Sequence, residues 1–320
     1  MSETPSATRP PEPDFDAITT EELLAYRDAE NSFRASSAAQ AILGESHPGA
    51  AIDWQEIALP GRNLPVRVYR PAAPGDGEAA APADLPLVVH VHGSGFVGTA
   101  TQCDWTNSHI AARLPALVVS VEHRLLAPGV PLADAADDGW EALDHVLRHA
   151  PQWGIDPSRT AVFGESCGAL ITALTAIRAR AAGLELKGQV LVNPVADVTE
   201  TMFDHASMDE YAYRPSRAKP LLRFFQRLAV PPGHDAAAVS PLYADALSGL
   251  APALVVVPTQ DAVADHGRCY AQRLRAAGTP TRLSEYPGAK HAFLTLPGTE
   301  PQATAAQTEI LEFLRTALAK

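Results

Sequence analysis

The run Phe163-Gly164-Glu165-Ser166-Cys167-Gly168 places a serine hydroxyl between two glycines, each two positions away. It closes a β-branched and aromatic stretch, Arg159 to Phe163, and opens an alanine-rich, helix-forming one. That is the pattern of a nucleophile elbow, a sharp strand-to-helix turn that exposes one serine. A serine hydroxyl is a weak nucleophile at its free pKa, so it must be presented where a base can take its proton and nothing blocks the substrate. Gly164 and Gly168 suit such a turn because side chains there would collide with the turn or with the neighbouring strand. A Gly-x-Ser-x-Gly string also occurs in ordinary turns, so the assignment depends on partners elsewhere in the chain, in the required order.

Those partners are present. Leu85-Pro86-Leu87-Val88-Val89-His90-Val91 reads as a buried strand that runs directly into His92-Gly93-Ser94-Gly95-Phe96. In the plan that accompanies such an elbow, one oxyanion donor is the backbone N–H after the nucleophile, here Cys167, and the others come from a glycine-rich loop after an earlier strand, here Gly93 and Ser94. The acid then follows the serine, and the base follows the acid. Asp261 sits just past the apolar strand Pro252 to Pro258, before a helical stretch from about Val263 to Ala277. His291 follows the strand Arg282 to Tyr286 and a turn at Pro287-Gly288. A catalytic imidazole needs a loop that leans over the serine while a buried carboxylate holds its other nitrogen. Asp265 competes with Asp261 for that role, but it falls one helical turn later and reads as a helix-start residue.

Eleven histidines are present, and His47, His109, His145, His149, His205, His234 and His266 are read as surface or packing residues. His90 and His92 share a strand face, yet no third ligand of suitable spacing accompanies them, so packing under the loop explains His92 better than a metal does.

The elements that must position these groups alternate. Strand-like runs recur at Leu85 to Val91, Ala116 to Val121, Thr160 to Phe163, Gln189 to Asn193, Ala253 to Val257 and Thr281 to Tyr286, with helical stretches between most of them. That alternation predicts a mostly parallel central sheet with helices on both faces. Ahead of it, Ile52 to Leu59 and Leu64 to Tyr69 predict an antiparallel hairpin, and Thr19-Thr20-Glu21-Glu22 opens a helical stretch to about Ile42. Residues 1–14 are expected to be a disordered tail, residues 15–50 an N-terminal cap helix region, and residues 51–320 the main domain. The proline-rich stretch Pro71 to Pro86 is expected to be a surface loop. Within the main domain, an insertion over about 198–240 breaks the alternation with Met202, Phe203, Met208, Tyr211, Tyr213, Phe224 and Phe225. These are read singly as packing residues, and none is assigned to substrate.

Over residues 52 to 318 the chain resembles the hormone-sensitive-lipase-like branch of the α/β-hydrolase esterases. That branch carries His-Gly-Gly-Gly, where this chain has His92-Gly93-Ser94-Gly95. Its Asp-Tyr-Arg-Leu-Ala-Pro-Glu stretch is similar to Glu122 to Gly129, one residue longer here, and the helix that follows is similar to Pro131 to Trp140. Its Gly-Asp-Ser-Ala-Gly elbow becomes Gly164-Glu165-Ser166-Cys167-Gly168, and its acid and base motifs resemble Asp261 to Asp265 and His291-Ala292-Phe293. The resemblance implies an α/β-hydrolase fold with a helical cap, to which the N-terminal helix contributes. It also implies small to medium acyl esters as substrates, and a last strand at a sheet edge able to pair with a second copy. Ser94 replaces a glycine and Cys167 an alanine; both keep the backbone donor.

Composition is consistent with that picture. The chain has 320 residues, enough for one large α/β domain with a modest cap, and 46% are apolar, which suits a buried parallel sheet. Against 25 basic residues stand 37 acidic ones, a net charge of −12, which disfavours a nucleic-acid partner. Three scattered cysteines suggest neither a disulfide framework nor a metal cluster and favour a reducing cytoplasm. No run of about 18 apolar residues exists, so no membrane span is expected. The expected chemistry is serine carboxylic-ester hydrolysis through an acyl-enzyme, with neither metal nor organic cofactor. An amidase, an acyltransferase, a lyase, or a small-molecule-binding protein without chemistry remain the alternatives, since fold does not fix reaction.

Overall fold

The computed structural model describes residues 8–72, 84–210 and 215–319. The start of the expected tail, most of the loop expected between Pro71 and Pro86, and the aromatics Tyr211 and Tyr213 lie outside the described residues. In chain order the elements are α1 (Thr20–Arg34), α2 (Ser37–Leu43), β1 (Ala50–Leu59), β2 (Arg62–Pro71), β3 (Leu85–Val91), α3 (Asp104–Arg113), β4 (Leu117–Val121), α4 (Leu132–Arg148) and α5 (Ala150–Trp153). There follow β5 (Ile155–Glu165), α6 (Cys167–Ala181), β6 (Gly188–Val192), α7 (Ser207–Glu210), α8 (Pro215–Ala229), β7 (Ala253–Gln260), α9 (Ala264–Ala276), β8 (Thr281–Lys290) and α10 (Gln302–Ala317).

The sheet runs β1-β2-β4-β3-β5-β6-β7-β8, antiparallel where β2 meets β1 and β4 and parallel across the remaining pairs. Every residue of β3, β4 and β6 is buried, as expected of strands covered on both faces. Alternate side chains divide between the two layers. Leu87, Val89 and Val91 pack with α4 and α6, whereas Val88 packs with Ile110 of α3 and with Ile310, Leu311 and Leu314 of α10. Beside α6, the helix α9 contributes Tyr270 and Leu274 against Val255 and Val257 of β7.

Two local departures from the sequence-based expectation have physical causes. The single helical stretch expected from Thr19 to about Ile42 is two helices. Thr19 and Glu22 form a capping box at the start of α1, but the Ser36 hydroxyl donates to the Phe33 carbonyl and its oxygen accepts from the Ala39 N–H, ending one helix and starting the next. The turn expected at Pro287-Gly288 lies inside β8, where the pairing with β7 shifts register after Pro258 and Gly288 takes a φ of +76°, a bulge rather than a strand end.

The N-terminal segment and the insertion between β6 and β7 meet above the carboxyl ends of the strands. Phe15, Phe96 and Phe224 form one aromatic cluster there, with ring centroids 5.1–5.7 Å apart. Within the segment expected to be tail, Arg9 donates through Nε to the buried carboxylate of Glu30 at 3.2 Å.

Candidate active site

Ser166 occupies the single residue between β5 and α6, at φ 53° and ψ −118°. A side chain there is strained, and the strain persists only because both flanks are packed too closely to relax. A Cβ on Gly164 would fall inside contact distance of the Gly168 carbonyl and the Thr172 hydroxyl, and one on Gly168 would strike the Val91 and His92 carbonyls. The Ser166 N–H is tied to the Val192 carbonyl at 2.9 Å. These contacts turn the hydroxyl outward.

His291, which follows β8, meets it from the other side. The Ser166 hydroxyl donates to His291 Nε2 at 2.8 Å, and His291 Nδ1 donates to Asp261 Oδ2, also at 2.8 Å. Asp261 is 3% exposed, and its other oxygen accepts from the Val263 N–H at 3.1 Å. Burial opposes the charged imidazolium, but the Asp261 carboxylate and, less strongly, Glu165 outweigh it, so the His291 pKa lies above its ordinary value. Asp265 is occupied elsewhere: it accepts from the Ser207 N–H at 2.9 Å and pairs with Arg268 at 2.8 Å.

Gly93 lies against the elbow, where a Cβ would sit 3.2 Å from the Glu165 carbonyl and 3.6 Å from Ser166 Cβ. Ser94 follows at φ +97°. Beneath this loop the buried His92 donates through Nδ1 to the Gly93 carbonyl at 2.9 Å and stacks on His123 at 4.3 Å. As the first residue of α6, Cys167 carries one of the N–H groups that a helix leaves without an internal partner. Its buried thiol is pushed up to about 12, which keeps it protonated and unreactive.

His90, Cys103 and Glu165 bring nitrogen, sulfur and oxygen within 4.8 Å of one another, all buried. The grouping was not legible in the spacing, because the partners of His90 come from the turn just before α3 and from β5 rather than from His92. Thr295 Oγ1 at 3.2 Å and the Cys103 thiol at 3.7 Å both donate to Glu165, while His90 Nδ1 meets Ser120 Oγ at 2.8 Å and Asn107 Nδ2 at 3.1 Å. The cluster is a hydrogen-bonded support under the elbow, and attack by a serine asks for no metal there.

Ser166 and His291 open into a cavity of about 650 Å³. Phe15, Phe33 and Leu43 from the N-terminal segment, Leu222 and Phe225 from α8, and Leu296 make its walls largely apolar. Phe225 packs its ring against the Gly95 Cα, so the insertion touches the loop directly.

An eight-stranded sheet with a serine at the tip of its central strand-to-helix turn defines the class as the α/β-hydrolases. The comparisons agree. A family model described as the α/β-hydrolase fold matches residues 88–295. Carboxylesterase NlhH of Mycobacterium tuberculosis is 36% identical over 283 residues, covering 85% of this chain and 84% of that one. Ethyl acetate hydrolase of Pseudomonas putida is 31% identical over 292 residues, 90% of this chain and 89% of the relative. The solved structure of a hyperthermophilic esterase from Pyrobaculum calidifontis is similar with a TM-score of 0.81 at 29% identity, over 93% of this chain and 94% of that one. The chain belongs to the α/β-hydrolase fold family, in the hormone-sensitive-lipase-like esterase branch that its motifs resemble. Among the described residues no helix is long and apolar enough to cross a membrane.

Proposed function

We propose that this protein is a serine carboxylesterase acting on small to medium acyl esters, with Ser166 as nucleophile, His291 as general base and then acid, and Asp261 holding the imidazole. The observation that carries the reading is the pair of 2.8 Å hydrogen bonds linking three residues from the ends of three different strands. Ser166 Oγ attacks the ester carbonyl as His291 Nε2 takes its proton, and the negative charge moves to the carbonyl oxygen. The N–H groups of Gly93, Ser94 and Cys167 receive that oxyanion. Collapse expels the alcohol, which leaves with the proton from His291, and the acyl group stays on Ser166. Water, deprotonated by the same nitrogen, then releases the acid and restores the serine.

The N-terminal helices and the α7–α8 insertion serve as the cap over this cavity. The edge strand β8 offers a backbone ladder to a second copy, giving a homodimer; a light-scattering mass equal to one chain would dispose of that element. Three free cysteines suit a reducing cytoplasm.

Hydrolysis of a p-nitrophenyl ester series, from acetate to long-chain acyl, tests the reading. The wild type is expected to cleave the shorter esters and to be labelled by an organophosphonate at Ser166, and Ser166→Ala is expected to do neither. A folded wild type that takes no label would overturn it.

A further inference from the structure

The polar side of α1 is spent on the loop that follows β3. Arg27, Asn31 and Arg34 recur at i, i+4 and i+7, so they share one side of the helix. Arg27 donates to the Phe96 and Leu126 carbonyls, each at 2.7 Å, and the Gly98 N–H donates to Asn31 Oδ1 at 2.6 Å. Arg34 is held by the buried Glu30 at 3.0 Å and donates through Nη1 to Gln102 Oε1 at 2.6 Å. Gln102 in turn donates through Nε2 to the Gly93 carbonyl at 3.0 Å.

That last carbonyl belongs to the same peptide plane as the Ser94 N–H. Every described peptide bond is trans, so C=O and N–H of one plane point in opposite directions. Both Gln102 and His92 hold the Gly93 oxygen, so the plane is fixed and the Ser94 N–H is sent away from them, at a residue that lines the cavity beside Ser166. The plane needs a grip, because Ser94 at φ +97° stands where a residue with a side chain does not rest unaided. Arginine donates and cannot accept, so Arg34 forces the amide of Gln102 to turn its oxygen outward and its N–H₂ to Gly93. Without Arg34 the amide is free to turn over and set oxygen against oxygen.

We infer that Gln102, oriented by Arg34 of α1, is a positioning residue for the oxyanion hole, holding the Gly93–Ser94 peptide so that the Ser94 N–H meets the oxyanion. The inference rests on the esterase reading of Ser166. It makes the N-terminal helix part of the catalytic apparatus as well as a cover for the cavity.

Gln102→Glu isolates the effect, since a carboxylate keeps the Arg34 partner but has no proton for the Gly93 carbonyl; Gln102→Leu serves as a second variant if the first folds poorly. Losing an oxyanion donor outright costs 10²–10³ in kcat, and misaiming one is expected to cost roughly 10- to 100-fold with KM within about twofold. Arg34→Met is expected to fall similarly, and the double variant no further than the worse single. A trifluoromethyl ketone, which mimics the oxyanion, should weaken by the same factor as kcat/KM, while inhibition by the product acid stays level. An unchanged kcat in a folded Gln102→Glu, or losses that multiply in the double variant, would overturn the relay. The wild type keeps the two questions apart: phosphonate labelling with normal turnover, beside an unaffected Gln102→Glu, sinks the relay alone, whereas failure to label sinks the esterase reading itself.

Discussion

Acid should unfold this protein earlier than its carboxylates alone would require, because three buried histidines are built to stay neutral. His266 accepts the Ala196 N–H on Nδ1 at 3.3 Å and donates from Nε2 to the Met202 carbonyl at 3.0 Å, so a second proton would break the first bond. His92 and His123 are stacked, each donates from Nδ1 to a carbonyl, and among the described residues neither Nε2 has a side-chain or backbone partner to receive a new N–H. Burial is the main cause in all three cases and holds each pKa at about 4. The unfolded chain titrates near 6.5, so between those values it binds three protons that the fold refuses. Stability is then present above about pH 6.5 and lost as pH falls toward 4, at a limiting slope on the order of 4 kcal/mol per pH unit. A drop from pH 6.5 to 5 costs about 5 kcal/mol, since the slope reaches its limit only below the unfolded pKa, and that is comparable with the whole stability of a marginal domain. His291 does not offset this. Its raised pKa gives a contribution fully present below 6.5, lost only as pH rises past the folded value. Urea denaturation followed by tryptophan fluorescence from pH 7.5 to 4.5 measures the slope, and His266→Gln should remove about a third of it. A slope equivalent to less than one proton would refute the reasoning.

Three further outcomes are expected. In Asp261→Asn the charge that raises His291 is gone, so the acidic limb of the kcat/KM profile, set by deprotonation of His291, moves to lower pH while kcat drops about 10⁴-fold; a limb at its wild-type position argues against the assignment. Gly168→Ala sets a methyl against the Val91 and His92 carbonyls, neither of which can yield without moving the sheet, and should destabilise by about 3 kcal/mol in calorimetry; an unchanged melting temperature contradicts the packing. Ser94→Gly relieves the +97° φ and keeps the N–H, so stability should rise by about 1 kcal/mol, net of the added chain entropy of glycine, with kcat within about twofold. A tenfold fall in kcat would instead give the oxyanion to the Ser94 hydroxyl.

What was legible in the sequence was whatever depends on order along the chain. Ser166 and Asp261 could be picked out because each follows an apolar run that reads as a buried strand, His291 because it follows the last strand-like run in the required chain order, and the parallel sheet brings such strand ends together. Contacts that depend on how separate segments stack were hidden. Gln102 lies 68 residues from Arg34, and nothing in its neighbourhood marks it as a ligand of Gly93. His90, Cys103 and Glu165 come from three elements, so the pairing of His90 with His92 suggested by strand periodicity was the wrong comparison. The early start of β5 at Ile155 was hidden by Pro157 and the polar residues beside it, which interrupt the apolar run. Ser36 looked like any serine in a helical stretch, because its capping role depends on the turn it makes rather than on its spacing.

The departures from the family's motifs at the two positions 94 and 167 test where catalytic power in this architecture resides. Ser94 and Cys167 both bear side chains where glycine and alanine are usual, yet the group asked of each is a backbone N–H, which every residue but proline has. What substitution can spoil is the direction of that N–H. At position 167 direction comes with the helix, since the first turn of α6 aims its free donors regardless of side chain, and the thiol is simply absorbed into the core at 2% exposure. At position 94 no helix supplies direction and the backbone sits at a φ that serine resists, so the aim has to come from outside the loop. The polar face of α1 is where the structure provides it: Arg27, Asn31 and Arg34 fasten the loop at Phe96, at Gly98 and, through Gln102, at Gly93. A serine at 94 and a clamp from the N-terminal helix are therefore two halves of one solution, and removing the clamp should cost a chain with glycine at 94 less than it costs this one.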